Sequence, residues 1–164
     1  MHTLIVTTQS TYRSTMEKLV VDTANKYEKA GYISFSDPYH IVVNMLQNAN
    51  VGKEKFIIID ASGDVKNSQI ISKTAYVVPL KDLFKVYLFL RNLIKDESVE
   101  MLLLDSLSAL IYRHGELPLK RMLTDLLLEV GTFRCNTSIV VFNEHANHEV
   151  VTHLGPLIGK SLVL

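Results

Sequence analysis

The segment Met101-Leu102-Leu103-Leu104-Asp105-Ser106-Leu107-Ser108-Ala109-Leu110 decides the fold of this chain. Its first four residues are all apolar, which is typical of a strand that other elements cover on both faces. Asp105 and Ser106 follow directly, and a run of small and apolar residues comes after them. The pattern predicts a buried strand of a parallel sheet, with a polar pair at its carboxyl end.

Further apolar runs lie on both sides of this segment and alternate with helical patterns. Central strands are predicted at 4–7, 32–36, 56–60, 100–105 and 138–142, with shorter strands at 76–78 and 161–164. Helices are predicted near 16–27, 83–94 and 118–131. Apolar strands that alternate with crossover helices predict an α/β fold, with a mostly parallel sheet and helices on both faces. The absence of a linker or repeat in the sequence favours one domain over residues 1–164.

Three local features complete this prediction. Gly31 is expected to end the first helix, since glycine commonly follows a helix C-terminus. Asp37 is expected to cap the second helix, with Pro38 at its first position. The polar stretch from Ala61 to Thr74 is expected to be a mobile loop.

The composition excludes several classes of protein. Seventeen basic and seventeen acidic residues balance, so no global field attracts nucleic acid or an anionic membrane. The apolar runs are too short for a signal peptide or a membrane span, which together with the single cysteine indicates a cytoplasmic protein. Cys135 is expected to be a half-buried structural thiol. Zero net charge and a mean hydropathy of +0.17 predict self-association, or an apolar patch that a partner covers.

Four segments, in this order, resemble the RecA/KaiC-like ATPases. Residues 101–110 look like their Walker B segment, and residues 31–38 are similar to the second strand of KaiC-like proteins, where two acids normally precede the proline. Residues 56–62 resemble the next strand, and residues 140–144 resemble the strand whose tip senses the γ-phosphate. The resemblance implies a RecA/KaiC-like core that packs against neighbouring cores.

The phosphate-binding loop departs from this family. A P-loop follows the pattern G-x-x-x-x-G-K-S/T, in which glycines let backbone N–H groups surround the phosphates and the lysine contacts them. The resemblance aligns Thr7 and Tyr12 with the glycines, Arg13 with the lysine and Ser14 with the hydroxyl. Arg13 is either a phosphate contact or a solvated side chain on the first helical turn. ATP hydrolysis is therefore not expected.

The catalytic acids that the resemblance implies are also incomplete. In KaiC-like proteins an acid at the position of Ser36 or Asp37 orients the attacking water, and Ser36 cannot do so. Asp105 would hold Mg²⁺, but the main ligand of that ion is a triphosphate bound in the P-loop. Without a bound triphosphate, the ion would lack this ligand. The resemblance leaves Asp37, Asp105 and Glu144 as vestigial catalytic candidates. It leaves weak nucleotide binding, if any, to Tyr12, Arg13, Ser14 and Asp105.

A histidine-rich segment is the other candidate site. Glu144, His145, His148, Glu149 and His153 lie close together in the sequence, at spacings that would suit zinc on a helix. The order H-E-x-x-H and paired cysteines are both missing, so no metal site is expected. The sequence also lacks the G-x-S-x-G elbow of hydrolases and the G-x-G-x-x-G fingerprint of dinucleotide-binding proteins.

Three functional hypotheses follow. The first is a non-catalytic RecA/KaiC-like domain that regulates or scaffolds through protein–protein interaction, with itself or another RecA/KaiC-like protein as partner and with no cofactor. The second is a nucleotide-binding ATPase with an unorthodox loop, in which Arg13 and Ser14 hold the phosphates of ATP and Mg²⁺ is the cofactor. The third is a flavodoxin-like signalling domain.

Overall fold

An eight-stranded sheet forms the centre of the computed structural model, which describes residues 1–164. Its strands are β1 (His2–Thr7), β2 (Ala30–Ser34), β3 (Phe56–Asp60), β4 (Gln69–Ser72), β5 (Ala75–Val77), β6 (Met101–Asp105), β7 (Asn136–Phe142) and β8 (Lys160–Val163). They are arranged in the order β4-β5-β3-β2-β6-β7-β1-β8, and every pair is parallel except β4 with β5. The predicted α/β fold with a mostly parallel sheet is confirmed.

Six helices cover the two faces of the sheet. They are α1 (Tyr12–Lys26), α2 (Tyr39–Asn48), α3 (Leu83–Glu97), α4 (Leu107–Arg113), α5 (Glu116–Thr132) and α6 (Glu149–Leu154). Short 3-10 turns lie at 53–55, 143–145 and 155–157. Buried apolar side chains of α1 and α2 belong to a 12-residue cluster on one face, and those of α3 to α6 belong to a 30-residue cluster on the other. None of these helices is both long enough and apolar enough to cross a membrane.

Strand register brings the carboxyl ends of three neighbouring strands to one level. Ser34, the last residue of β2, pairs with Asp60 of β3 on one side and with Asp105 of β6 on the other. All fifteen residues of these strands are buried, because helices cover both faces of the sheet here. Asp60 and Asp105 therefore lie on either side of Ser34, at the carboxyl ends of the central strands.

The prediction that Gly31 ends a helix is wrong. Helix α1 ends at Lys26, and Gly31 lies inside β2, directly opposite Leu102 of β6. A Cβ atom at Gly31 would lie 2.9 Å from Leu102 Cδ1. Glycine at this position therefore reflects close packing of two central strands.

The prediction that Asp37 caps α2 is also wrong. Pro38 is itself the N-cap residue, one position earlier than expected, and its side chain has no hydrogen-bonding group. Instead, the backbone N–H of Tyr39 donates to Asp60 Oδ2 at 2.8 Å. An acid at the end of the neighbouring strand β3 thus satisfies a free N–H at the start of α2.

Two further predictions need correction. The stretch from Ala61 to Thr74 contains strand β4, which pairs antiparallel with β5 at the edge of the sheet. Cys135 is buried rather than half-buried, with 1% of its surface exposed, and burial raises the pKa of its thiol to about 12.

Candidate functional site

Asp105 is the centre of the candidate site. It is the last residue of β6, and its side chain is completely buried on the face that α1 and α2 cover. The phenol of Tyr12, from α1, donates a hydrogen bond to Asp105 Oδ2 at 2.6 Å. The phenol of Tyr32, from β2, donates to the same oxygen. Asp105 Oδ1 is also buried and has no hydrogen-bond partner.

The electrostatics of this acid and the two phenols follow from burial. Burial raises the pKa of Asp105 to about 6, although the hydrogen bonds from Tyr12 and Tyr32 act in the opposite direction. Burial and the nearby Asp105 charge raise the pKa of each phenol well above its ordinary value. Both tyrosines are therefore protonated hydrogen-bond donors at neutral pH.

Tyr12 reaches Asp105 across an intervening strand. Strand β7 lies between β1 and β6 in the sheet, and its last residue is Phe142. The rings of Tyr12 and Phe142 pack with their centres 5.3 Å apart. This contact places the Tyr12 ring over the tip of β7, so that its hydroxyl meets the acid at the tip of β6.

The loop between β1 and α1 is held by its own hydroxyl groups. Thr7 Oγ1 lies 3.1 Å from both Thr11 Oγ1 and Thr15 Oγ1. The N–H groups of Thr8 and Thr11 each donate to the other residue's hydroxyl at 3.2 Å. Ser14 Oγ donates to the carbonyl of Thr11 at 2.8 Å. These bonds engage the N–H groups of Thr8 and Thr11 and the hydroxyl of Ser14 within the loop itself.

Arg13 makes no hydrogen bond or ion pair with Asp105 or with either phenol. Its Nε atom contacts Glu17 Oε1 at 3.1 Å, and 73% of its side chain is exposed. A pair this exposed, at i and i+4 on a helix, contributes only about 0.3–0.5 kcal/mol to stability. The structure therefore places Arg13 with the solvated side chains of the first turn of α1.

Asp37 lies in the segment between β2 and α2, on the same side of the sheet as Asp105. Its backbone N–H donates to Ser34 Oγ at 2.9 Å, whereas its carboxylate makes no hydrogen bond or ion pair. Partial burial raises the pKa of this carboxyl group. Its neighbour Ser36 is exposed.

Asp37 lines a cleft of about 430 Å³ between α1 and α2. The other residues that line the cleft are Tyr12, Arg13, Met16, Tyr32, Ile41, Val42, Asn44, Met45 and Asn48. Three of the residues that the sequence singled out thus come together here, namely Tyr12, Arg13 and Asp37.

Glu144 and the histidines lie outside this cleft. Glu144 is exposed in the 3-10 turn after β7. His148 Nδ1 accepts a bond from the N–H of Val150 and caps α6, while the His145 ring packs on Tyr112 at 4.8 Å. His153 Nε2 lies 3.2 Å from Thr124 Oγ1. No three His, Cys, Asp or Glu side chains of the chain are grouped closely enough to hold a metal ion.

Sequence reasoning missed Tyr32, although a signal for it exists. A tyrosine inside an otherwise apolar strand needs a hydrogen-bond partner when it is buried. Tyr32 lies two residues before the end of β2, and the buried acid of the neighbouring strand β6 needs a donor. The two needs are complementary, but only the strand order reveals that β2 and β6 are neighbours.

Sequence reasoning also missed the role of Asp60. Its Oδ1 accepts bonds from the N–H of Ser62 at 2.9 Å and from the Ser62 hydroxyl at 2.7 Å, while Oδ2 accepts from Tyr39. All of the donors to Asp60 are backbone N–H groups or the hydroxyl of a nearby residue. Asp60 is therefore a structural residue of this edge of the sheet.

Neither a protein-family model nor a curated protein sequence matches this chain. Among solved structures, it is similar to the KaiC-like protein PH0186 from the hyperthermophilic archaeon Pyrococcus horikoshii OT3, with a TM-score of 0.73 and 12% sequence identity. The alignment covers 99% of this chain and 70% of that one. The similarity shows that the fold is RecA/KaiC-like. The flavodoxin-like hypothesis is wrong, since β1 does not neighbour β2 or β3 as in the flavodoxin order 2-1-3-4-5.

Proposed function

We propose that this domain with a RecA/KaiC-like fold is non-catalytic and acts by binding another protein, in a regulatory or scaffolding role. Its partner is a second copy of itself or an active RecA/KaiC-like paralogue. The observation that carries the proposal is that the phenols of Tyr12 and Tyr32 both donate hydrogen bonds to Asp105. This is the acid that resembles the Mg²⁺-binding residue of the ATPases.

The surroundings of Asp105 oppose the binding of Mg²⁺. The ion needs nearly octahedral oxygen coordination and keeps several of its waters. One oxygen of Asp105 already accepts from Tyr12 and Tyr32, and the other is sealed from solvent. Mg²⁺ or its waters would have to displace both phenols from a fully buried position.

The loop before α1 opposes the binding of a triphosphate. Anion binding at such a loop depends on free backbone N–H groups that converge on the anion. The N–H groups of Thr8 and Thr11 are bonded to hydroxyls, and the Tyr12 ring extends toward Asp105. No contact of Arg13 or Ser14 favours the hypothesis of an ATPase with an unorthodox loop.

An exposed apolar surface supports the partner-binding part of the proposal. Phe84 of α3 and Leu117 of α5 are 65% and 78% exposed. Both line a groove of about 460 Å³ between these helices, together with Leu83, Tyr87 and Met122 among its apolar residues. Exposed large side chains grouped in this way are typical of protein-interaction surfaces.

Sedimentation analysis of the purified chain, alone and mixed with a RecA/KaiC-like paralogue, tests this role. We expect a complex that the double variant Phe84→Glu/Leu117→Glu loses, because buried charges oppose an apolar interface. Asp64→Ser, a change of an exposed residue away from the groove, is the control and should leave the complex intact. A monomer that binds no paralogue at high concentration would contradict the proposal.

A further inference from the structure

We propose that the cleft between α1 and α2 binds an organic cation, an ammonium or guanidinium group carried on an aliphatic stem. The site goes beyond the proposed partner-binding role and does not depend on it. With a volume of about 430 Å³, it falls in the size range of small-ligand sites, roughly 300–1,000 Å³. The proposal rests on an acid without a partner, on neighbouring donors that bond to other acids, and on apolar walls.

Asp37 is the unpaired acid. Its carboxylate lines the cleft with no hydrogen bond and no ion pair, although it is partly buried. A carboxylate in this setting loses part of its hydration without compensation. A cation in the cleft would supply that compensation, as a charge-assisted hydrogen bond or an ion pair.

None of the neighbouring donors of the cleft serves Asp37. The hydroxyls of Tyr12 and Tyr32 both donate to Asp105. The one cationic residue that lines the cleft is Arg13, and its Nε is directed to Glu17. The Asp37 carboxylate therefore has no hydrogen-bond or ion-pair partner within the chain.

Asp37 and the nearby Asp105 favour a cation over an anion, and Arg13 opposes them only weakly because solvent screens its 73% exposed side chain. The charges of Asp37 and Asp105 interact closely enough that Asp37 raises the pKa of Asp105. A negative ligand would be repelled by Asp37, which lines the cleft, and less strongly by Asp105, which is fully buried and does not line it. A positive ligand would interact favourably with both.

The remaining surface of the cleft fits an aliphatic stem. Met16, Ile41, Val42 and Met45 supply apolar wall, and methionine side chains adapt to irregular ligand shapes. Tyr12 and Tyr32 are also among the lining residues, and their rings add to the apolar wall. The amides of Asn44 and Asn48 lie among the lining residues as further polar contacts.

The test is a titration of the full chain labelled at its methionine methyl groups, followed by nuclear magnetic resonance. The probes are hexylamine, hexanol and hexanoate, which share a stem and differ in head group. We expect hexylamine to shift the signals of Met16 and Met45, and to bind at least about tenfold more tightly than hexanol, the least that a charge-assisted bond contributes. Hexanoate should bind more weakly still.

The matched variants are Asp37→Asn, which removes the charge at nearly the same side-chain size, and Asp64→Asn, at an exposed acid outside the cleft. We expect Asp37→Asn to weaken hexylamine binding about tenfold and Asp64→Asn to leave it unchanged. Equal binding of the three probes to the wild-type chain, or no shift at either methionine, would overturn the proposal even if Asp37→Asn failed to fold. An unchanged affinity in folded Asp37→Asn would also overturn it.

A last arm distinguishes the two sources of the cation. Nα-acetyl-lysine methylamide presents the same ammonium on the stem of a protein side chain. Tighter binding of this compound than of hexylamine would support the site and assign it to a lysine of a partner protein. Tighter binding of hexylamine would support the site and assign it to a free amine.

Discussion

The Tyr12 hydroxyl lies 2.6 Å from Asp105 Oδ2 and donates a hydrogen bond to it, although the two residues are 93 positions apart in the sequence. The bond joins the first residue of α1 to the last residue of β6. The resemblance to RecA/KaiC-like ATPases aligns each end of this contact with a part of their nucleotide site. Under the proposed function, the Tyr12 phenol takes the position on Asp105 that a metal ion would need.

The first prediction concerns the two phenols. Tyr32→Phe should lower the free energy of unfolding by about 1.5–3 kcal/mol, because a buried hydrogen bond to an ionisable acid is lost. Tyr12→Phe should act in the same direction, and the double variant should leave Asp105 without a donor. Urea unfolding at neutral pH measures these effects.

Tyr112→Phe is the matched control for both tyrosines. Tyr112 is 73% exposed, and its hydroxyl makes no hydrogen bond. Its replacement should change stability by less than about 0.5 kcal/mol. If Tyr12→Phe and Tyr32→Phe lower the free energy of unfolding no more than this control does, the bonds to Asp105 contribute nothing to stability.

The second prediction concerns pH and Asp105. Its pKa of about 6 in the folded chain lies above the ordinary value of 3.8, so the folded state holds the proton more tightly than the unfolded state. The contribution of Asp105 to stability therefore falls as pH rises from about 4 to about 6, by up to about 3 kcal/mol, and is constant above that window.

Asp105→Asn should remove this dependence, because an amide does not titrate. Urea unfolding at a series of pH values between 3.5 and 7, with steps of about half a unit, measures it in the wild type and the variant. Asp64→Asn, at an exposed position, should retain the wild-type profile. A fall of unchanged size in Asp105→Asn would assign the pH dependence to other groups, such as Asp37.

The third prediction concerns the cap of α2. Asp60→Ala should lower stability by about 1–2 kcal/mol or more, since it removes the acceptor of the Tyr39 N–H and both bonds to Ser62. Asp37→Ala, the acid that lies next to the helix in sequence, should cost less because its carboxylate holds no backbone group. Thermal unfolding of the two variants measures the difference, and the reverse order would contradict the assignment.

The fourth prediction concerns Cys135. Its thiol is buried, and the pKa of about 12 leaves little thiolate at neutral pH. Iodoacetamide should therefore modify the native chain far more slowly than the chain in urea, and the rate should follow unfolding. Modification of the native chain as fast as the unfolded one would show that the site is accessible.

The central sheet could be predicted from the sequence because its strands are distinctive. The run at 56–60 is apolar until its last residue, and the run at 101–105 ends in an acid in the same way. Strand β4 was missed because it is a four-residue edge strand, exposed along its whole length, and shows no alternation of apolar and polar residues. Edge strands of this kind give little hydrophobic signal.

The candidate site could be predicted only in part. The position of Asp105 followed from its strand, whereas its bonds to Tyr12 and Tyr32 span 93 and 73 residues of sequence. Such contacts depend on which strands are neighbours, and local patterns do not contain that information. The capping rule failed at Asp37 for the same reason, since the acid that serves α2 comes from β3.

The first two residues of α1 allow a sharper test of the proposal that this domain does not bind a nucleotide. The double variant Tyr12→Gly/Arg13→Lys introduces a glycine and a lysine at the two positions that the resemblance aligns with those residues of a P-loop. We expect it to free Asp105 from one phenol and to gain weak affinity for ATP if the loop alone prevents binding. A variant that remains inert would show that the rest of the site also opposes the nucleotide.

Calorimetric titration of the wild-type chain with ATP and Mg²⁺, followed by a turnover assay, tests the central claim most directly. We expect no saturable heat at submillimolar ATP and no release of phosphate. The reasons are that Tyr12 donates to Asp105, that the loop N–H groups of Thr8 and Thr11 donate to hydroxyls, and that Arg13 is exposed. Micromolar binding together with hydrolysis that Arg13→Ala or Asp105→Ala abolishes would contradict the claim, and would establish an ATPase with an unorthodox loop.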